Sequence, residues 1–265
     1  MLRRVASRQN ALIKELRQAF AQAALTEDGC CAIEGVRLVE EALRSGLRLK
    51  AVFVSQGAEQ RAERLLPQVS SHAEALLVPA DVFAATVQTE APQGIAALVQ
   101  VRQWELKDIL RAAHPLIVIA AGVQDPGNLG TMVRSAEAFG ANGLLAAEGT
   151  VSPYNSKAVR AAAGSLFRLP VIRVALNHAL EALREQGMRV LGTSSHRGTP
   201  AHQADLTGGL ALLVGNEGAG LGRHLAAAAD GFVAIPHEPR VESLNAGIAA
   251  AVLLYEAARQ RRALS

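Results

Sequence analysis

Three polar clusters in the second half of this 265-residue chain contain the residue types that bind and activate a substrate. They run from Asp125 to Arg134, from Gly215 to Gly220, and from Arg240 to Asn245. The first two combine polar side chains with glycines, which let a backbone approach a ligand closely. Together the clusters offer a positioned cation, a carboxylate, and hydrogen-bonding amides and a hydroxyl.

The first cluster contains the turn signal Asp-Pro-Gly-Asn and predicts a helix from Leu129 to Phe139. On that helix Arg134 would lie one turn from Gly130, close to the amino-terminal end, where the helix dipole disfavours a positive charge. A cation at this unfavourable position indicates that Arg134 has a function there. The alternative is a solvated arginine on an ordinary strand–turn–helix unit, and spacing alone gives the two about equal weight.

The second cluster is a glycine loop at the end of a predicted strand, and its backbone amides are suited to close around a ligand. It has neither the Lys-Ser/Thr of a phosphate-binding P-loop nor the G-x-G-x-x-G spacing of a dinucleotide fold. Glycine loops alone are more often turns than sites. Glu217 favours a site here, because open α/β sheets bind ligands at the carboxyl ends of their strands.

The third cluster precedes a helix predicted from Leu244 to about Arg262. Ser243 or Asn245 is a natural amino-terminal cap for this helix. Capping explains only one of the two residues, and it leaves Arg240 and Glu242 unexplained. The apolar body of the helix indicates burial in the core or in a contact between subunits.

The clusters are set in an alternation of short strands and helices, which predicts an α/β layer structure. The later strands lack polar alternation, so we expect them to form a parallel sheet flanked by helices on both faces. The pattern predicts domains at residues 1–102 and 115–265, joined by a charged helical linker at 103–114. Further helices are predicted in the second domain at 155–163, 177–186 and 221–228.

The composition excludes several classes of protein. Half of the residues are hydrophobic, and 27 basic against 24 acidic side chains allow a basic patch but exclude a chain-wide polycation. Adjacent Cys30 and Cys31 and scattered histidines lack metal-ligand spacing, so we predict no metal site. The apolar runs are too short to span a bilayer and no signal-peptide pattern is present. We therefore expect a cytoplasmic protein that has no membrane partner.

Taken in order, the clusters resemble the three motifs of the SpoU/TrmH branch of the SPOUT methyltransferases. The matching patterns are N-x-G-x-x-x-R from Asn128, G-N-E-G-x-G from Gly215, and I-P-x(6)-S-L-N from Ile235. Each pattern is moderately specific, whereas the three in this order are highly specific and cover about residues 115–262. The segments RQNALIKELR, AIEGVRLVEEAL and LKAVFVS are similar to the amino-terminal RNA-binding domain of ribosomal-RNA members, a small α/β fold akin to a ribosomal protein.

The resemblance implies transfer of a methyl group from S-adenosylmethionine to a ribose 2′-hydroxyl of RNA. The extra domain favours ribosomal RNA over tRNA as substrate. The resemblance also implies a deep trefoil knot in the carboxy-terminal domain, and a homodimer to which the last helix contributes. The cofactor would be held by Gly215, Ile235 and Leu244, with Thr193 at the end of the preceding strand as a further candidate.

The catalytic set that the resemblance implies is present in full, as Asn128, Arg134, Glu217, Ser243 and Asn245. Free arginine is too basic to act as an ordinary base. We therefore interpret Arg134 as a cation that lowers the pKa of the hydroxyl and holds an adjacent phosphate. Asn128 and Asn245 would orient the ribose and Arg134, while Glu217 would fix its loop or pair with Arg134.

Contact with RNA is predicted from basic residues on two helices. Arg8, Lys14 and Arg17 belong to an amphipathic helix near the amino terminus, where a basic face suits contact with phosphates. Most such faces are only solvated, and that is the alternative interpretation. Lys157 and Arg160, on the helix after Ser-Pro-Tyr-Asn, are further candidates.

Two departures from the family pattern occur near the third motif. Pro239 stands where the family usually has glycine, and Ala246-Gly247 replace the common Val-Ser. Proline fixes φ and removes an amide donor, which predicts a stiffer or shifted loop over the cofactor. The alternative functions are a tRNA 2′-O-methyltransferase, a non-catalytic RNA-binding relative and a nucleotide-dependent oxidoreductase. Retention of the catalytic set argues against the non-catalytic relative.

Overall fold

The structure, a computed structural model, describes residues 2–5, 7–87, 89–216 and 220–263. The chain divides into two compact units, Met1–Gln103 with Tyr154–Phe167, and Trp104–Pro153 with Arg168–Ser265. Residues 154–167 therefore pack with the first unit, although the segments on both sides of them belong to the second. No helix in the described part of the chain combines the length and the apolar composition needed to cross a membrane.

Short strands and helices alternate along both units, as the sequence predicts. The strands are β1 (Arg3–Arg4), β2 (Cys30–Glu34), β3 (Arg48–Ser55), β4 (Glu74–Val78), β5 (Ile95–Gln100), β6 (Leu116–Ala120), β7 (Gly143–Ala146), β8 (Val171–Arg173), β9 (Arg189–Ser194), β10 (Thr199–Pro200), β11 (Leu210–Val214) and β12 (Gly231–Ala234). The helices are α1 (Ala11–Gln22), α2 (Val36–Arg44), α3 (Glu59–Ala62), α4 (Ala80–Val87), α5 (Leu106–Ile109), α6 (Pro126–Ala138), α7 (Ser156–Ala162), α8 (Leu176–Glu185), α9 (Arg223–Ala227) and α10 (Ala246–Arg262). Turns of 3₁₀ helix lie at Leu66–Gln68 and Ser165–Phe167.

The first unit is built on a mixed sheet with the strand order β1-β4-β3-β5-β2. β1, β4 and β3 run parallel, while β5 is antiparallel to both β3 and β2. Helix α1 begins at Asn10, whose side chain accepts hydrogen bonds from the amides of Leu12 and Ile13. It buries Ile13, Leu16 and Phe20 in the core of this unit, so its basic residues are on the exposed side.

The second unit is built on a seven-stranded sheet with the order β10-β12-β9-β11-β6-β7-β8, in which every pairing is parallel. This confirms the predicted parallel sheet flanked by helices. Central strands β6 and β11 are buried along their whole length, which explains why they contain no polar alternation. In the linker predicted at 103–114, Ile109 is buried in the core of the second unit.

Helix α6 begins earlier than predicted, and this changes the interpretation of Arg134. Asp125 caps the helix by accepting a hydrogen bond from the amide of Asn128, and Pro126 lies in the first turn, where its missing N–H is not needed. Arg134 is therefore the ninth residue of a helix of 13 residues. The prediction that Arg134 lies against the helix dipole was wrong, because the carboxy-terminal half of a helix does not disfavour a cation.

Candidate active site

A cavity of about 390 Å³ lies in the second unit at the carboxyl ends of β9, β11 and β12. This is the edge at which parallel α/β sheets bind ligands, and the volume is typical of a small-molecule site. Four of its lining residues are the predicted cofactor contacts Thr193, Gly215, Ile235 and Leu244, and Ser243 of the predicted catalytic set also lines it. The structure thus brings together segments that lie far apart in the sequence.

The two ends of the glycine loop after β11 are held together by hydrogen bonds. Asn216 and Gly220 exchange two backbone hydrogen bonds, with N–O distances of 3.1 and 2.9 Å. Gly215 is buried beneath this closure, and a Cβ atom placed on it would lie 2.4 Å from the carbonyl oxygen of Gly220. Asn216 Nδ2 also donates to the carbonyl oxygen of Gly122, which ties the loop to the end of β6. Glu217, predicted to be catalytic, lies outside the described residues.

The first and third motifs meet through a side-chain hydrogen bond between two asparagines. Asn245 Nδ2 donates to Asn128 Oδ1 over 2.8 Å, and Asn245 Oδ1 accepts from the amide of Ile248 as the cap of α10. Gly247 favours the close approach of α10 to α6, because a Cβ atom there would lie 3.1 Å from Thr131 Cβ and 3.3 Å from Asn128 Cα, which is tighter than most Cβ contacts. The alternative left open by the sequence is resolved, since Asn245 rather than Ser243 caps this helix.

Arg134 is separate from this cavity. It is exposed on α6, and it is not one of the lining residues, nor are Asn128 and Asn245. No carboxylate in the described part of the chain forms an ion pair with Arg134. The four described residues of the predicted catalytic set therefore lie in three places. Ser243 lies on the cavity wall, Asn128 and Asn245 form the hydrogen-bonded pair that joins the first and third motifs, and Arg134 lies on the exposed face of α6.

The cavity wall also contains charged and aromatic residues that the motif analysis did not place in the site. Arg197 lies over the ring of Phe232, with its guanidinium carbon 3.8 Å from the ring centroid. His237 lines the cavity, and its Nδ1 is 2.7 Å from the carbonyl oxygen of Ile235. Glu242 lines it from the third motif. The sequence signal for Arg197 is the Ser-Ser-His-Arg-Gly segment that directly follows the strand ending near Thr193.

Pro239, the departure from the family pattern, lies in a turn next to the cavity. The amide of Val241 donates to the carbonyl oxygen of Glu238 over 2.9 Å, which closes a turn with Pro239 at its second position. Proline is favoured there because its φ is already suited to the turn. The loop is thus compatible with proline, and the effect of Pro239 on a ligand stays a prediction.

The five basic residues predicted to contact RNA are all exposed in the first unit. Arg8 pairs with Asp81 over 3.0 Å, whereas Lys14 and Arg17 project from α1. Lys157 and Arg160 lie on α7, which packs with the first unit. Their contact with RNA stays a prediction. In the described part of the chain, no group of three or more His, Cys, Asp and Glu residues is arranged to hold a metal.

Both halves of the chain match families of known proteins. Residues 115–255 match the SpoU rRNA Methylase family, and residues 10–97 match the MRM3-like substrate binding domain. The chain is 34% identical over 254 residues to the 23S rRNA (guanosine(2553)-2′-O)-methyltransferase RlmP of Bacillus subtilis. That alignment covers 96% of this chain and 98% of the relative.

Solved structures with nearly complete overlap are also methyltransferases. An AdoMet-bound rRNA methyltransferase from Sinorhizobium meliloti superposes with a TM-score of 0.82 at 30% identity, covering 98% of both chains. The SpoU methyltransferase AviRb from Streptomyces viridochromogenes, in complex with AdoMet, has the same TM-score at 31% identity and covers 95% of this chain and 98% of its own.

Proposed function

Because the chain belongs to the SpoU rRNA methylase family, we propose that it methylates a ribose 2′-hydroxyl of RNA with S-adenosylmethionine as the methyl donor. The resemblance read from the three motifs is confirmed by the family match. The observation that carries the proposal is the cavity, in which Thr193, Gly215 and Ser243 meet although they come from separate segments. The oxidoreductase alternative has no comparable support.

The residues of the cavity fit the cofactor. Gly215 and Gly220 both line the cavity and carry no side chain, so their backbone groups are available to a ligand. We propose that Thr193, Gly215, Ile235 and Leu244 hold it, largely through backbone groups. When bound, S-adenosylmethionine supplies a sulfonium methyl group that moves to the ribose oxygen, leaving S-adenosylhomocysteine and a proton.

The protein side chains must position the ribose and assist removal of its proton. We propose that Asn128 and Asn245, held by their mutual hydrogen bond, orient the ribose together with Ser243. Arg134 would stabilise the developing negative charge on the 2′-oxygen and bind the neighbouring phosphate, which takes the proton. Glu217 would fix the loop after β11 or pair with Arg134. Such positioning reduces the barrier because the reacting groups are held ready for transfer.

Ribosomal RNA is the proposed substrate. The support is the match of residues 10–97 to a substrate-binding domain and the 23S rRNA substrate in the name of the Bacillus subtilis relative. We propose that Arg8, Lys14, Arg17, Lys157 and Arg160 contact RNA phosphates through the first unit. Contacts of this kind make binding weaker as salt rises.

A methylation assay tests this function. Purified protein is incubated with labelled S-adenosylmethionine and with either unmodified ribosomal RNA or tRNA, and 2′-O-methyl positions are mapped. We expect label in ribosomal RNA, and at least about a hundredfold slower transfer by Arg134→Ala, since one preorganised charge contributes about that much. Arg173→Ala, which removes an exposed arginine of the same unit, is the matched control. Label confined to tRNA would overturn the substrate assignment. RNA binding without transfer of label to any RNA would overturn the proposal that the protein is an enzyme.

We also propose that two copies associate through α10. Ile248, Val252 and Tyr255 recur at helical spacing and are 51%, 39% and 56% exposed, an apolar stripe that a second copy would cover. Sedimentation should show a dimer that Ile248→Asp dissociates and Ile248→Leu preserves; a monomeric parent protein would refute this. Family membership also supports a trefoil knot in the second unit, and the RNA substrate supports action in the cytoplasm.

A further inference from the structure

Two charged residues on the cavity wall have no part in the proposed methyl transfer. Arg197 follows β9, and Glu242 precedes Ser243 in the third motif. Both are exposed to the cavity side of the second unit, and in the described part of the chain neither forms an ion pair, with the other or with a third residue. An arginine and a carboxylate that line one cavity without an ion pair between them leave both charges available to a ligand.

The loop that carries Arg197 is fixed in place by three local interactions. Ser194 Oγ accepts hydrogen bonds from the amides of His196 and Arg197, which closes the loop at its start. Gly198 has a φ of +114°, and a Cβ atom on it would lie 2.4 Å from the carbonyl oxygen of Phe232. The third interaction is the stacking of Arg197 on the ring of Phe232. The position of the cation is therefore built into the loop.

Stacking leaves the hydrogen-bonding capacity of Arg197 intact. The guanidinium is planar and its N–H groups point outward in that plane, so contact of one face with a ring does not use them. No acceptor in the described residues takes a hydrogen bond from the Arg197 side chain. A carboxylate matches this edge well, because its two oxygens accept two parallel N–H bonds.

We infer that Arg197 binds the carboxylate, and Glu242 the ammonium group, of the amino-acid end of S-adenosylmethionine. This inference rests on the proposed function, which supplies the cofactor. The amino-acid end is a zwitterion, and Arg197 and Glu242 are the arginine and the carboxylate among the described residues that line the cavity. An RNA phosphate is the other anion that Arg197 would attract at this edge, and the experiment separates the two.

The test is a crossed binding experiment by calorimetry. S-adenosylhomocysteine is compared with its decarboxylated analogue and with its deaminated analogue, on the parent protein and on Arg197→Gln and Glu242→Gln. Arg197→Gln should weaken S-adenosylhomocysteine about tenfold, and the decarboxylated analogue less than about twofold, since a charged hydrogen bond is lost only in the first case. Glu242→Gln should show the same selectivity for the ammonium group. Arg173→Gln and Glu238→Gln remove charges that do not line the cavity and should leave every affinity unchanged.

The outcomes distinguish this inference from the proposed function. Equal losses for all three ligands on Arg197→Gln would show that the residue only shapes the loop, and would overturn the inference. Unchanged binding of all three ligands to Arg197→Gln would also overturn the inference. Weaker RNA binding by the same variant would then assign Arg197 to an RNA phosphate. Absence of S-adenosylhomocysteine binding to the parent protein would instead refute the proposed function. Partial recovery of S-adenosylhomocysteine affinity in Arg197→Lys would support charge recognition.

Discussion

Replacement of Gly215 by alanine is the most direct test of the close contact between Gly215 and Gly220. The added Cβ atom would lie 2.4 Å from the oxygen of Gly220 and 2.8 Å from the nitrogen of Leu221, and real Cβ contacts are essentially never under 3.0 Å. The Gly220 carbonyl must therefore move by at least about 0.6 Å. Both neighbours are backbone atoms, so a change of rotamer cannot relieve the contact.

The cost of this overpacking is about 1–3 kcal/mol. Because the contact is present in the unliganded protein, Gly215→Ala should lower the free energy of unfolding by this amount. Relief of the contact displaces the Gly220 carbonyl, which belongs to the cavity wall, so the affinity for S-adenosylhomocysteine should also fall by about fivefold or more. Calorimetry gives the affinity, and urea denaturation gives the stability.

Gly231→Ala is the matched control for the change in Gly215. Gly231 begins β12, and a Cβ atom there would make an ordinary contact of 3.5 Å with Leu191. Since alanine restricts the unfolded chain more than glycine does, this variant should be as stable as the parent or slightly more so, with unchanged affinity. If Gly215→Ala binds S-adenosylhomocysteine like the parent and unfolds at the same urea concentration, the close packing of Gly220 on Gly215 does not constrain the site as its geometry indicates.

Three further changes test other parts of the structure. Asn245→Asp keeps the acceptor that caps α10 but loses the donor to Asn128. Methyl transfer should fall at least about tenfold with little change in melting temperature. A large loss of stability would contradict the separation of the capping role from the role of the donor. Lys50 and Thr26 lower the pKa of Asp28 from 3.8 to about 2, so the unfolded chain binds more protons at Asp28 than the folded chain between about pH 4 and pH 2. The stability that Asp28 provides should be lost as the pH falls from about 4 to 2, and Asp28→Asn should flatten that part of a denaturation profile; an unchanged slope would refute the ion pair as its cause. Pro239→Ala should reduce the free energy of unfolding by about 0.4–1 kcal/mol in urea denaturation, and a gain in stability would show that proline strains the turn.

Most of the fold was predictable because its signals are local. Helices α7 and α8 begin and end within one residue of the predicted bounds, 155–163 and 177–186, and the apolar runs of β6 and β11 identify strands that are covered on both faces. The two-residue strands β1 and β10 were missed, since two residues have no periodicity. The start of α6 was misplaced because Asp-Pro-Gly-Asn is compatible with a turn and also with a capped first helical turn.

The motifs predicted the glycine loop and the third motif as parts of one site, but the charged wall of the cavity was not predictable from them. Stacking of Arg197 on Phe232 depends on the sheet, which places β9 beside β12. It also depends on Gly198, whose missing side chain lets the two backbones approach. No local pattern contains both segments, so residues of this kind become visible only when the parallel order of the strands is known.

In Asn245 the structural role of helix cap and the proposed catalytic role depend on each other. Its Oδ1 must face the amide of Ile248, because that N–H at the helix start needs an acceptor. The Nδ2 group is thereby directed to Asn128, whose own backbone amide is bound by Asp125 at the start of α6. One chain of hydrogen bonds thus joins the beginnings of two helices and fixes the orientation of both side-chain amides. The cap thus positions the side-chain amide that we propose to be catalytic, so only a substitution that preserves the cap can measure the contribution of Asn245 to the chemistry.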